Sequence, residues 1–121
     1  MSAFADAGSI PPQEIWSGVT ARSVHSELVT LGLIELEANA AVPEHSHVNE
    51  QLGFLIKGSV TFTVGGEVRE VGPGGCWTIF AHVPHSVVVG PEGAVIVEVF
   101  SPRRDDWSAI PTGEPGPGVW P

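Results

Sequence analysis

Residues 43–58 read PEHSHVNEQLGFLIKG, and this stretch decides both the fold and the candidate site. Side chains alternate between the two faces of an extended backbone, so His45, His47 and Gln51 share one face while Glu50 points to the other. Imidazole binds zinc, copper, iron and nickel well, whereas a carbonyl-type oxygen is a harder and weaker ligand. Two imidazoles and an amide oxygen on one face therefore predict one side of a metal site.

A second stretch supplies a third imidazole. Residues 79–89 read IFAHVPHSVVV, in which Pro84 precedes His85 at the start of an apolar run. Three imidazoles and one oxygen leave positions open for water or substrate, which is typical of a working metal site rather than a closed structural one. We predict four ligands for one divalent transition metal (zinc, nickel, iron, manganese or cobalt): His45, His47, Gln51 and His85.

Two alternatives to this ligand set stay open. Gln51 could instead hydrogen-bond a ligating imidazole or a water molecule. The histidines could also belong to a site that has lost its affinity for metal. We interpret His25 and His82 as surface or packing residues.

The composition predicts one small, strand-rich domain. The chain has 121 residues, 42% of them hydrophobic, and its 15 glycines and 11 prolines are too many for a helical bundle. Five basic against fourteen acidic residues leave a formal charge of −9, which repels phosphate backbones and anionic membranes. We therefore expect a small-molecule ligand or substrate as the partner, and neither nucleic acid nor a membrane.

The chain ends and the single cysteine bear on the cellular compartment. Residues 1–14 carry neither a basic region nor a long apolar run, so we expect a cytoplasmic protein. The lone Cys76 excludes an internal disulfide. Because it stands beside Trp77 in a strand-like run, we expect it to be a small buried core residue rather than a nucleophile. Phe54, Phe62 and Trp77 are also expected in the core.

Hydrophobic alternation predicts about eight short strands separated by turns. In residues 60–64, Val60, Phe62 and Val64 should point inward, and Gly65-Gly66 then predicts a hairpin turn. A double-sheet jelly roll or small barrel would remove the exposed strand edges.

We divide the chain into three parts. Residues 1–14 are expected to form a flexible or partner-docking arm, residues 15–101 the barrel, and residues 102–121 a tail rich in proline and glycine without regular structure. Strands with apolar residues on both faces and a tryptophan-bearing tail need cover beyond a barrel of this size. We therefore expect a homodimer.

The first stretch resembles the first motif of the cupin superfamily. That motif is Gly, five residues, His-x-His, three or four residues, Glu, six residues, Gly. His45, His47 and Gly58 match it, whereas Gln51 stands in the acidic slot and Asn39 in the opening glycine slot.

The second stretch resembles the second cupin motif, which is Gly, five residues, Pro-x-Gly, two residues, His, three residues, Asn. Gly75 and His85 match, with one residue instead of two between the slot at Val83 and His85, and the other marks are replaced by Ala81, Val83 and Val89. The gap between Gly58 and Gly75 matches that of small bacterial cupins. The resemblance implies an all-β cupin fold, the double-stranded β-helix or jelly-roll barrel.

The ligand set with glutamine is similar to that of pectin-degradation cupins, which linearise unsaturated monouronates, and of cupin-type polyketide cyclases. The former likeness extends to residues 65–67, 83–85 and 98–106. In that family an acidic residue and an arginine of the last segment lie near the metal. By position these are Glu98 and Arg104, although the family's acid is an aspartate.

Each of these two residues has a chemical role and a simpler alternative. Glu98 stands among apolar residues, so its pKa should be raised and it could transfer protons if it faces the cavity. The alternative is that Glu98 lies at the sheet surface or at an interface. Arg104 could hold a substrate carboxylate with two hydrogen bonds, or it could belong to a solvated ion-pair cluster over residues 103–106.

We favour a metal-dependent enzyme of isomerase or lyase type. Neutral ligands leave the charge of the cation uncompensated, which strengthens it as a Lewis acid toward a carbonyl or hydroxyl oxygen. The expected substrate is a small oxygenated molecule, a sugar acid or keto/enol compound, that undergoes isomerisation or ring opening. The alternatives are a non-catalytic cupin that binds a small molecule or a metal, and a polyketide cyclase or dioxygenase.

Overall fold

The computed structural model describes residues 2–120, and over that range it contains eight strands and two short 3₁₀ helices. The strands are β1 (Gln13–Trp16), β2 (Val19–His25), β3 (Thr30–Leu36), β4 (Ala41–His45), β5 (Glu50–Val64), β6 (Glu67–Val71), β7 (Cys76–Ile79) and β8 (His85–Ser101). The 3₁₀ helices span Ala7–Ser9 and Asp105–Ala109. The predicted all-β class is confirmed. Met1 and Pro121, the outer ends of the predicted arm and tail, lie outside the described residues.

The long strands β5 and β8 pair along their whole length and take part in both layers of the fold. The strand order is β1-β2-β3-β8-β5-β6, while β4 pairs with β8 and β7 with β5. One end of the β5–β8 pair is flanked by β3 and β7, and the other end by β4 and β6. This antiparallel arrangement folds the chain into a two-layered jelly roll.

Glycines allow the long strands β5 and β8 to bend. The β5–β8 register shifts between Gly58 and Val60, so the segments on either side of Gly58 form one bulged strand. A Cβ atom at Gly58 would lie 2.0 Å from the Gly93 carbonyl oxygen, and Gly58 has a φ of +85°. Only glycine fits such a close backbone approach. Residues 91–93, with the sequence Pro-Glu-Gly, likewise lie within β8.

The core lies between the two layers and follows the predicted alternation. Val60 and Phe62 are buried, Thr61 between them is exposed, and Phe62 contacts the buried Trp77 with 5.0 Å between ring centroids. Gly65 and Gly66 connect β5 to β6 with φ values of +54° and +87°, which confirms the predicted hairpin.

The expectation that Phe54 and Cys76 lie in the core is wrong. Phe54 is 45% exposed, and Cys76, its cross-strand partner, is exposed as well. Their neighbours Leu55 and Trp77 are buried, so Phe54 and Cys76 point to the opposite face of the sheet. His25 and His82 are exposed, as expected for surface histidines.

The tail contains a regular element that the sequence did not suggest. The 3₁₀ helix Asp105–Ala109 forms in the proline-free interval between Pro102 and Pro111, so the expectation of no regular structure there is wrong. Trp107 in this helix is 3% exposed and contacts Phe100, with 5.1 Å between ring centroids. The Gln13 side chain donates hydrogen bonds to the carbonyls of Trp107 and Ile110, both at 2.9 Å. Strand β1 thereby holds the tail against the barrel.

Among residues 2–120, every helix is too short and too polar to cross a membrane.

Candidate metal centre

Three histidines from different elements meet inside the barrel. His45 ends β4 and pairs across the sheet with His85, which begins β8, while His47 lies in the loop after β4. The ring nitrogens of the three residues that could bind a metal all lie within 4.8 Å of one another. The His82 amide donates to the His47 carbonyl at 2.8 Å, which joins the loops that carry His47 and His85.

Backbone carbonyls fix the direction of each imidazole. Nδ1 of His45, His47 and His85 is 2.8, 2.9 and 2.8 Å from the carbonyl oxygens of Pro43, Asn49 and Val83, respectively. A carbonyl only accepts, so each Nδ1 carries the proton and each Nε2 is left with a lone pair. The Nε2 of His85 is buried and has no hydrogen-bond partner among the described residues. This donor set fits a bound cation, which would pair with the buried lone pair.

The electrostatic surroundings keep two of these imidazoles neutral. Burial lowers the pKa of His85 to about 4, and the nearby His45, His47 and Arg104 act in the same direction. Burial, followed by the charge of Arg104, also lowers the pKa of His47. Neutral imidazole is the form that binds metal ions, so the two residues are ready to bind near neutral pH.

Gln51 lies beside the imidazoles with its oxygen turned toward them. It is 6% exposed on β5, and its Oε1 is 3.1 Å from Nε2 of His47. Its Nε2 donates a hydrogen bond to the Glu98 carboxyl group. Two ligand atoms at right angles around one cation, each about 2.1 Å from it, are about 3 Å apart. The Gln51 oxygen is thus at a separation from His47 that suits a shared cation.

Glu98 lies in the interior on β8, 5% exposed, rather than at the sheet surface. Its Oε2 accepts hydrogen bonds from Nε2 of Gln51 and from Nε1 of Trp77, the latter at 2.9 Å. Burial raises its pKa, and the two hydrogen bonds and the charge of Arg104 oppose that rise without cancelling it. The carboxyl group can therefore hold a proton closer to neutral pH than an exposed glutamate does.

The two arginines of the tail differ in their surroundings. Arg103 forms an exposed ion pair with Asp105. The guanidinium of Arg104 stacks on the rings of Phe100 and Trp107, 4.9 and 4.6 Å from their centroids, and lines the cavity. Arg104 also donates to Asp106 at 3.0 and 3.1 Å, which lowers the pKa of that exposed carboxylate. Of the two arginines, only Arg104 lies at the cavity, and its carboxylate partner Asp106 is exposed and could be replaced by another anion.

The cavity at the imidazoles is small and partly closed by a tryptophan. Its volume is about 80 Å³, and its walls include Val42, Phe100 and Trp107. Trp16 of β1 is tilted over His45 with 5.0 Å between ring centroids and remains 37% exposed at the mouth. A larger hollow of about 700 Å³ lies on the outer side of the sheet beside Lys57, Glu92 and Val119, away from the imidazoles. The imidazoles, Gln51, Glu98 and Arg104 therefore line the smaller of the two cavities.

Sequence reasoning missed two residues of this site. Trp16 was not considered, and Trp77 was expected only as a core residue. Their contacts with His45 and Glu98 join strands that do not pair with each other, β1 with β4 and β7 with β8, and no spacing within the sequence signals such contacts.

Comparisons with known proteins agree with this architecture. A family model described as "Cupin domain" matches residues 32–100. The pectin degradation protein KdgF of Dickeya dadantii (strain 3937) is 25% identical over 99 residues, covering 80% of this chain and 90% of that protein.

Two solved structures share the fold. An RmlC-like cupin from Shewanella frigidimarina superimposes with a TM-score of 0.81 at 21% identity, covering 88% of this chain and 96% of that one. KdgF from a Halomonas species superimposes with a TM-score of 0.79 at 23% identity, covering 88% of this chain and 98% of that one. The match to the family model spans more than half of the chain and includes every strand that carries the imidazoles. The protein is therefore a small member of the cupin family, and it is similar to the pectin degradation protein KdgF.

Proposed function

We propose that the protein is a metal-dependent enzyme of isomerase or lyase type that rearranges a small oxygenated substrate, a sugar acid or keto/enol compound. The observation that carries this proposal is a buried carboxyl group with a raised pKa close to three imidazoles whose Nε2 lone pairs converge. Groups that can bind a cation and transfer a proton within one cavity are the usual machinery of such reactions.

The cation would be held by His45, His47, His85 and Gln51. All four side chains are neutral donors, so they leave the charge of a divalent transition metal (zinc, nickel, iron, manganese or cobalt) uncompensated. When bound, the metal would polarise a carbonyl or hydroxyl oxygen of the substrate as a Lewis acid. The convergent Nε2 lone pairs and the buried, unpartnered Nε2 of His85 support this assignment.

Glu98 would act as the proton donor and acceptor. Its Oε2 is occupied by the Gln51 and Trp77 donors, so Oε1 is the oxygen that exchanges a proton with the substrate. Because burial raises its pKa, the group holds a proton at a higher pH than an exposed glutamate does, which suits a residue that both gives and takes a proton. That property suits a reaction in which one proton leaves a substrate atom and another is returned.

Arg104 would bind an anionic group of the substrate. Its guanidinium lies over the rings of Phe100 and Trp107, and its present partner, Asp106, has a side chain that is 63% exposed. A substrate carboxylate can replace Asp106 with the same two parallel hydrogen bonds. Of the substrates considered, this favours a sugar acid.

The size of the cavity and the relatives also bear on the substrate. A volume of about 80 Å³ is well below the roughly 300–1,000 Å³ of ordinary ligand pockets. Only the reacting end of a molecule fits, which disfavours an aromatic polyketide. The similarity to proteins named for pectin degradation supports an unsaturated uronate.

The test is turnover of unsaturated monouronates from pectin and alginate, followed by NMR after loading with each candidate metal. His47→Ala should abolish turnover, and Glu98→Gln should lower it by roughly 10²-fold or more because proton transfer contributes that much. His25→Ala, at an exposed histidine, is the matched control and should retain full activity. Tight binding of these acids without turnover would instead favour the non-catalytic cupin, and oxygen consumption would favour the dioxygenase.

We also propose that the protein is a homodimer joined through the outer apolar face, which we define as the outward side chains of Val24, Leu31, Leu33, Leu52, Phe54, Thr78, Val97 and Val99. These residues are exposed or half-buried and lie on neighbouring strands from β2 to β7. All are uncharged, whereas the chain carries a formal charge of −9. Two copies with the same negative charge repel each other, and this repulsion is weakest where the facing surfaces are uncharged. Packing of one sheet on the other would also bury these side chains.

A further inference from the structure

We propose that Trp77 is a positioning residue that determines which atom of the Gln51 amide faces the imidazoles. This inference depends on the metal site of the proposed function and extends it to a residue that does not itself bind metal. The side chains of Trp77, Glu98, Gln51 and His47 form one row of polar contacts that ends at the Asn49 carbonyl.

The first end of the row is the Trp77 indole, whose N–H can only donate. It lies 2.9 Å from Oε2 of Glu98, so that oxygen must accept. The other end is the Asn49 carbonyl, which can only accept from Nδ1 of His47, 2.9 Å away. Nε2 of His47 is therefore a bare lone pair. Neither end can reverse its role.

Gln51 lies between these two fixed ends. Because Oε2 of Glu98 accepts, the amide presents its NH₂ group to it, and Oε1 is left pointing at Nε2 of His47 across 3.1 Å. Two acceptors then face each other. Such a contact becomes favourable when a cation lies between the two acceptors. The order of donors and acceptors therefore orients Oε1 of Gln51 and Nε2 of His47 to bind one metal ion.

Gly53 makes the contact between the indole and the carboxyl group possible. Gly53 pairs with Trp77 on β7 and with Glu98 on β8, so these three residues lie side by side on three adjacent strands. A Cβ atom at Gly53 would lie 2.0 Å from Cε2 of the indole. The indole thus lies across the glycine to reach a carboxyl group two strands away.

Without the indole, Oε2 of Glu98 loses the donor that holds it beside Gln51, so the carboxyl group can rotate away from the amide. The amide can then turn and donate its NH₂ group to Nε2 of His47. That ordinary hydrogen bond satisfies the imidazole, and a metal ion must break it in order to bind. Loss of Trp77 should consequently weaken metal binding even though the residue touches no ligand atom of the imidazoles.

The experiment measures the dissociation constants of zinc and cobalt by chelator competition. Trp77→Phe keeps an aromatic ring over Gly53 and should weaken binding by roughly tenfold, whereas Trp120→Phe, the matched control in the exposed tail, should leave it unchanged. Gly53→Ala displaces the indole by another route and should reproduce the loss if Trp77→Phe does not fold.

A double-mutant cycle separates positioning from a general loosening of the barrel. In a Gln51→Ala background no amide remains to be turned, so Trp77→Phe should have no further effect on metal affinity. An equal effect in both backgrounds, or none in the wild-type background, would overturn the inference while the metal site stands. A wild-type protein that binds neither metal would overturn the proposed function itself.

Discussion

The metal-free protein should lose stability on acidification because of His85. The pKa of this imidazole is about 4 in the folded protein against 6.5 for the free group, and the side chain is 3% exposed. The unfolded chain therefore binds the proton more tightly. The contribution of His85 to stability is fully present above about pH 6.5 and is lost as the pH falls toward 4.

Linkage gives the size of this effect. Between about pH 8 and about pH 5.5, the free energy of unfolding should fall by about 1 kcal/mol on account of His85 alone, and by about 3 kcal/mol once the pH is below 4. His47, whose pKa is also lowered, adds to the loss in the same direction. The effect comes first from the desolvation of the two imidazoles, and the charges of Arg104 and of the neighbouring imidazoles add to it.

The assay is urea unfolding in the presence of EDTA at several pH values between about 5.5 and about 8. His85→Gln removes the titrating group and should flatten the pH dependence by about 1 kcal/mol over that interval. His25→Gln, at an exposed histidine outside the cluster, serves as the control and should keep the wild-type slope. If His85→Gln has the same pH dependence as the wild type, the reasoning about this imidazole is refuted.

Three further predictions address the metal, the bend and the association. Zinc at about one hundred times its dissociation constant should raise the melting temperature by about 10 °C, since binding adds about 2.7 kcal/mol, and His47→Ala should abolish that shift in a scanning-calorimetry titration. Gly58→Ala should destabilise the fold by about 3 kcal/mol or more in urea, because its Cβ atom meets a backbone carbonyl at 2.0 Å. Gly72→Ala, where a Cβ atom meets open space, should change stability little. In light scattering at equal concentration, Phe54→Glu should convert a dimer into a monomer, and a monomeric wild type would contradict the dimer proposal.

The residues of the site were predictable from the sequence, but their local structure was not. The structure brings His45, His47 and Gln51 together with His85. The predicted single extended segment is wrong, because β4 ends at His45, residues 46–49 form a loop and Gln51 lies on β5. Glu98 was located through family resemblance and lies in the cavity. The strand count and the hairpin at Gly65 and Gly66 likewise follow from local signals.

The features that the sequence did not predict depend on which strands become neighbours in the fold. Phe54 and Cys76 look like core residues because they are apolar, but a sheet with one covered face gives half of its apolar positions to the outside. The role of Trp77 requires knowing that β7 and β8 flank β5, a pairing between residues far apart in the chain. The 3₁₀ helix around Trp107 forms because the barrel offers a hydrophobic contact at Phe100, which local composition does not reveal.

The groups that orient the three imidazoles are peptide carbonyls, those of Pro43, Asn49 and Val83. Every amino acid supplies the same acceptor, so point substitutions at these positions leave the anchor in place. Inserting or deleting a single residue in the loops would instead displace the carbonyl and rotate the ring that it holds. The centre should therefore tolerate drift in the identity of its supporting residues far better than any change in loop length.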